Sequence, residues 1–323
     1  MTQQQPLELG HGISMIDLHD LGLPNRTGCY VFREELTLIE TGPSRSIPYL
    51  LQGLEQLNIR PEEIRYIIVT HIHLDHAGGA GLLIQHCTNA KVIVHPRGAR
   101  HLVDPSRLIA GAKMVYGDKF DELFAPILPV PEERILIKGE GDTLTIGPGR
   151  TLRFLDTPGH ALHHFSIYDP VSHGVFCGDT AGIRYSHLEA DGIPFFLPVT
   201  SPNQFDPEAM LASIERFKTM NLSRLYYGHY GMTTQVDEAI RQVVHWLPRF
   251  LEESEKIFTE NAGTVVQLVD LISQRLMDII RKELSEKGIQ DSHPVYQILM
   301  MDAQVSAMGL VDYLSKKSEK AKA

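Results

Sequence analysis

The ten residues Thr70-His71-Ile72-His73-Leu74-Asp75-His76-Ala77-Gly78-Gly79 constrain this chain more than any other stretch. They follow IRYIIVT (64–70), whose continuous β-branched and aromatic content reads as a buried strand, so His71 onward lies in the turn at that strand's end. Four ligand-bearing side chains within six positions cannot share one face of a helix or strand, but a tight loop splays them around a small volume. Imidazole and carboxylate without thiolate suit zinc, iron or manganese and argue against a closed structural zinc site. The glycines let the next helix approach closely, and its amino end favours an anion nearby.

Three further side chains stand just beyond apolar strands: His160 after TLRFLDTPG, Asp179 after GVFCG and His229 after LSRLYYG. Each adjoining glycine permits a turn that delivers the side chain to a sheet edge. Four strand-end loops presenting His and Asp are what a two-metal site requires. The chain has sixteen histidines, and isolated ones such as His11, His19 and His245 read as surface or core filler.

The organisation supports this placement. ISMIDL (13–18), CYVF (29–32), LTLIE (36–40), KVIVHP (91–96), ILIKG (135–139), TLTIG (143–147), HFSIYD (164–169) and GVFCGD (174–179) read as further strands. Helical stretches fall near 47–57, 78–87 and 207–220, and residues 97–130 read as an insertion with its own short helices. There is no regular βαβ alternation, which favours packed mixed sheets covered by helices over a doubly wound parallel sheet. The character changes after Gly231: residues 233–323 contain no evident strand and three helices are expected, about 235–260 with a kink at Pro248, 264–287 and 294–316. The expected domains are therefore 1–231, carrying the chemistry, and a helical region 232–323.

Composition excludes several classes. With 30 basic against 40 acidic residues and a net charge of −10, the chain lacks the phosphate-neutralising surface of a nucleic-acid binder. No run approaches the roughly 18–20 apolar residues of a membrane span, and Met1 to Gly12 lacks a signal-peptide core, so the expectation is a cytoplasmic protein. Cys29, Cys87 and Cys177 are odd in number and widely spaced, and read as small buried hydrophobes. The tail from Lys316 reads as a frayed, solvated end.

At these motifs the sequence resembles the metallo-β-lactamase superfamily over about residues 13–231. HxHxDH stands as His71, His73, Asp75 and His76; a TPGHxxxH-like signature stands as Thr157-Pro158-Gly159-His160 with His164; the bridging aspartate matches Asp179 in GDT and the final histidine matches His229 in YGH. The resemblance implies an αββα sandwich of two mixed β-sheets flanked by helices, with a C-terminal helical extension similar in kind to that of glyoxalase II and some lactonase-like members. It also implies that His71, His73 and His160 hold one divalent ion, that Asp75, His76 and His229 hold a second, and that Asp179 bridges them. Zinc comes first as the metal, with iron and manganese also accommodated. Such a pair activates a shared water as hydroxide, with Asp75 orienting it, to cleave a small ester, thioester, lactone or phosphoester.

Departures from the pattern bear on the substrate. Glu40 in IETG stands where the family usually has Asp, either supporting the metal loop from behind or acting as a plain turn residue. His163 replaces a common glycine and either enters the site or faces solvent. The first tyrosine after Asp179 is Tyr185, six positions on, which weakens a specific lactonase assignment. Phe195, Phe196, Tyr116 and Phe120 either line an apolar pocket or pack locally, and the third C-terminal helix, with Leu299, Met300, Met301 and Met308, packs a core or a homodimer interface. Two other functions stay open: a mononuclear non-haem iron dioxygenase of thiols or persulfides using His71, His160 and Asp179, and a regulatory metal-binding protein.

Overall fold

A computed structural model describes residues 5–322, and the side chains through Lys320; Met1–Gln4 of the polar start and Ala323 of the basic tail lie outside the described residues. The chain forms two compact units. The first comprises residues 1–157, 163–178 and 221–236; the second comprises 158–162, 179–220 and 237–323. The end of the last strand-rich segment near residue 231 is thus not the boundary of compactness.

In the first unit one sheet runs in order β1 (Leu7–Gly10), β2 (Ile13–Asp17), β3 (Gly28–Phe32), β4 (Thr37–Ile39), β5 (Tyr66–Ile68), β6 (Lys91–Val94), β7 (Ile135–Ile137). Pairing is antiparallel to β4 and parallel from β4 to β7. Alternation then sorts the side chains. The cross-strand row Met15, Tyr30, Ile39, Ile68, Ile93 faces one core, and its neighbours Ile16, Cys29, Val31, Leu38, Ile67 and Val92 face another.

A second sheet contains β8 (Thr143–Gly147), β9 (Arg150–Asp156), β10 (Phe165–Asp169), β11 (Gly174–Gly178), β14 (Arg224–Tyr227) and β15 (Met232–Thr233). Its row Phe154, Ile167, Phe176, Tyr226 meets the Met15–Ile93 row, with Tyr30 set edge-on to Phe176 and Tyr226 at 5.0 and 5.5 Å. The other face of the first sheet is covered by α1 (Ile47–Gln56), α2 (Leu74–Ala77), α3 (Ala80–His86) and α4 (Pro96–Val103). The insertion adds α5 (Ser106–Tyr116) and α6 (Phe120–Phe124).

The second unit carries a small antiparallel pair, β12 (Ile183–Arg184) and β13 (Phe196–Leu197), and the helices α7 (Pro207–Lys218), α8 (Val236–Glu260), α9 (Val265–Glu286) and α10 (Val295–Lys322). Asp206 caps α7 through the Glu208 and Ala209 amides, with Pro207 in the first turn. Thr264 and Gln267 form a reciprocal cap on α9. Segment 179–220 joins this unit because it is sewn to the terminal helices. Gln242 accepts from the Phe196 amide at 2.9 Å, Thr200 Oγ1 donates to the Ser306 carbonyl at 2.7 Å, and a Cβ on Gly309 would stand 2.7 Å from Thr200.

Helix α8 runs through Pro248 as one element. Helix α10 continues beyond the expected end near 316, where Lys316 pairs with Asp312 and Lys317 with Glu255, so the basic tail is helical through Lys322 rather than frayed. Phe195 and Phe196 are buried in the second unit and Phe120 in the first. The three cysteines are buried, and burial pushes the Cys87 thiol up to about 12. Among the described residues no helix is long and apolar enough to cross a membrane.

Candidate metal centre

Parallel pairing brings the carboxyl ends of β4, β5 and β6 to one edge of the first sheet, the edge at which open α/β sheets place ligands. Glu40 follows β4, Thr70 and His71 follow β5, and His95 follows β6. The ends of β9, β11 and β14 share an edge of the second sheet, and the Phe165 amide donates to the Thr70 carbonyl at 3.0 Å, joining the two edges.

Five of the seven sequence-predicted ligands lie in the first unit: His71, His73, Asp75, His76 and His229. The rings of His71 and His73 are 4.5 Å apart, those of His71 and His76 4.1 Å, and those of His76 and His229 5.2 Å. Asp75 Oδ2 stands 3.6 Å from both His76 Nε2 and His229 Nε2. Donor atoms of Asp75, His76 and His229 all lie within 4.8 Å of one another, the spread a single ion requires.

Glu40 is buried at the centre of the support. It sits at φ +70°, a left-handed conformation that a side chain other than glycine adopts at a cost, which marks the position as over-determined by its surroundings. Its carboxylate accepts from Thr70 Oγ1, from the Thr70 amide at 3.4 Å and from His76 Nδ1 at 3.2 Å. Because the Thr70 hydroxyl proton goes to the carboxylate, Thr70 Oγ1 accepts from His71 Nδ1, 3.0 Å away. One carboxylate thereby sets the tautomer of two imidazoles, leaving Nε2 of each as the electron-pair donor. Donor atoms of Glu40, His71 and His76 also fall within 4.8 Å, but these hydrogen bonds make Glu40 a partner of the ligands rather than one of them.

The Thr41 and Gly42 amides and the Thr41 hydroxyl all donate to the His76 carbonyl at 3.0, 3.1 and 2.9 Å, fixing the same turn from its backbone. His163 is buried, with its Nδ1 accepting from the Ile72 amide at 3.5 Å and its ring 5.3 Å from that of His73. His164 stacks on His71 at 4.9 Å and is held by Thr157 at 3.0 Å. Behind them Gly178 has φ +48°, and a Cβ there would lie 2.4 Å from His164 Nε2 and 2.7 Å from Thr70 Oγ1.

The remaining two predicted ligands, His160 and Asp179, lie in the second unit, both buried, with His160 Nε2 3.4 Å from Asp179 Oδ2. Nδ1 of His160 faces the Val199 carbonyl at 3.2 Å, so its Nε2 is again the donor nitrogen. The Ser201 hydroxyl donates to the His160 carbonyl, and Gly159, at φ +129°, has no room for a Cβ beside Met210.

Tyr185 is buried in the second unit and donates to Asp302 Oδ2 at 3.0 Å. Sequence reasoning did not identify Thr70, whose only signal is its position before the first histidine. Nor did it identify Asp20, buried in the β2–β3 loop with Arg26 Nε at 3.5 Å. Burial pushes the Asp20 carboxyl up to about 6, Arg26 opposes the rise and the charge of Asp75 adds to it.

Comparison with known proteins bears on the fold and the family. The family model of the metallo-β-lactamase superfamily matches residues 24–229. A metallo-β-lactamase fold-containing protein of Sulfurisphaera tokodaii is 26% identical over 240 residues, spanning 72% of this chain and 84% of that protein. An N-acyl homoserine lactonase of Bacillus thuringiensis is 30% identical over 181 residues, 54% of this chain and 60% of the lactonase. A metallo-β-lactamase family protein from Thermus thermophilus shares the fold with a TM-score of 0.65, covering 96% of this chain and 95% of that one at 18% identity. Two mixed sheets with their helices, a C-terminal helical extension and this motif order together place the sequence: the chain belongs to the metallo-β-lactamase superfamily.

Proposed function

We propose that the protein is a dinuclear metal-dependent hydrolase of a small ester, thioester, lactone or phosphoester. In this reading His71, His73 and His160 hold one divalent ion, Asp75, His76 and His229 hold the other, and Asp179 serves both. The observation that carries it is the shared orientation of His71, His76 and His160, each with Nδ1 facing an oxygen partner and Nε2 left as the donor. Two such ions, most simply zinc, supply a water of near-neutral pKa and a Lewis acid for the substrate oxygen.

The residues divide the remaining work. Glu40 and Thr70 hold two imidazoles in the required tautomer, and the Val199 carbonyl does so for a third. Asp75 has a side chain 29% exposed, against 1% and 6% for His76 and His229, so it is the carboxylate of that triad that water reaches. With Oδ2 facing both imidazoles, Oδ1 is the atom we assign to orienting the attacking water and accepting its proton. The likeness to a lactonase keeps lactones among the substrate classes, yet Tyr185 is engaged with Asp302 and is not assigned to the substrate carbonyl.

A panel of lactone, thioester, carboxylic ester and phosphoester substrates, assayed with zinc, manganese and iron, tests this reading. Metal-dependent turnover of one class, lost in Asp75→Asn, is expected. Binding of metal without hydrolysis of any class would refute it, and thiol-dependent oxygen uptake with one iron per chain would replace it by the dioxygenase.

A further inference from the structure

The two apolar residues that alternate with the ligands in His71-Ile72-His73-Leu74-Asp75-His76 are anchored in different cores. Ile72 belongs to the main core beneath the first sheet and meets α4 where Gly98 has no side chain; a Cβ there would be 2.8 Å from Ile72 Cγ2. Leu74 instead forms a separate buried cluster with Phe120 and Phe124 of the insertion, flanked by Ile109, Tyr116 and Ile127.

The insertion also reaches the backbone after the ligand turn. Ser44 Oγ is shared between the Gly78 carbonyl and the Pro126 carbonyl, and a Cβ on Gly81 would lie 1.9 Å from the Leu128 carbonyl oxygen. This cover is thin: no residue of α5 is fully buried, and Met114 is 81% exposed. His76 has independent support from Glu40, Thr41 and Gly42, whereas Asp75 follows Leu74 directly and is half-buried. Side chains in a close-packed cluster transmit displacements of their neighbours, so Asp75, directly after Leu74, depends on the insertion, while His71, directly before Ile72, depends on the main core.

We propose that Leu74, Phe120 and Phe124 are positioning residues that set the affinity of the Asp75–His76–His229 triad separately from that of the other metal position. The proposal rests on the two-metal reading. It makes the insertion, and not only the ligands, a determinant of whether the second ion is retained.

Calorimetric titration of the metal-stripped full-length protein with Zn²⁺ tests it. Wild type should take up two resolved equivalents. Leu74→Ala and Phe124→Ala should weaken the second by about tenfold or more while the first stays within about threefold, and Leu74→Met should restore wild-type behaviour. Should Leu74→Ala not fold, Phe120→Leu and Phe124→Leu carry the same expectation in milder form, with circular dichroism and Tm reporting the fold. Two equivalents in wild type with both affinities unchanged in the variants, or lowered together, would overturn the anchor alone. One equivalent in wild type would overturn the two-metal reading and the anchor with it.

Discussion

Replacing Glu40 by alanine should damage both the fold and metal retention. The carboxylate is buried and accepts from three donors: the Thr70 hydroxyl, the Thr70 amide and His76 Nδ1. Leaving a buried donor without its partner costs roughly 1–3 kcal/mol, so three such losses amount to at least about 3 kcal/mol. Alanine keeps the strained φ of +70°, whereas Glu40→Gly relieves it and should be more stable than Glu40→Ala by roughly 1 kcal/mol. Loss of outer partners of this kind lowers metal affinity about 10–100-fold without changing how many ions bind at saturation. Urea denaturation of the metal-free protein and chelator competition for zinc read the two effects. Wild-type affinity in Glu40→Ala would refute the reasoning. Loss of one equivalent with the other unaffected would show that Glu40 is itself a ligand.

Gly178→Ala should destabilise the protein by about 2 kcal/mol or more, because the positive φ and the contacts with His164 and Thr70 oppose a Cβ together; a variant melting like wild type contradicts the crowding. Tyr185→Phe should cost about 1–2 kcal/mol through its Asp302 hydrogen bond and leave kcat/KM within about threefold; a large loss of kcat would instead put the phenol on the substrate. Asp20 predicts a pH dependence. Below its ordinary 3.8 the carboxyl is protonated in folded and unfolded states alike, but above it the unfolded chain releases the proton first. Metal-free stability therefore falls as pH rises toward about 6, by about 3 kcal/mol in all, and Asp20→Asn removes that slope; parallel pH profiles of wild type and variant would exclude it.

Much of this architecture is legible in the amino-acid order because its signals are local. The β2, β8 and β9 strands show apolar runs or alternation, and the ligand motif is a contiguous string, so both stand out without knowledge of the fold. Short edge strands are harder: β1 exposes three of its four residues, and β12, β13 and β15 have two residues each, too few to show a period. The compact units escape a linear reading because segment 158–162 is held by 179–220, which in turn joins the terminal helices through single hydrogen bonds and close backbone contacts. In the site, Glu40 is readable as either a support or a turn residue, and only the positions of Thr70 and His76 decide between them. Ile72 and Leu74 look equivalent in sequence; which core each enters depends on where the insertion folds.

Seven His and Asp side chains, three of them oriented by Glu40, Thr70 and the Val199 carbonyl, are proposed to serve two ions. Elemental analysis of metal-saturated, desalted protein tests it most directly. Two divalent ions per chain in wild type, and fewer in Asp179→Asn or His229→Ala, is the predicted result. One ion or none in well-folded wild type would contradict it.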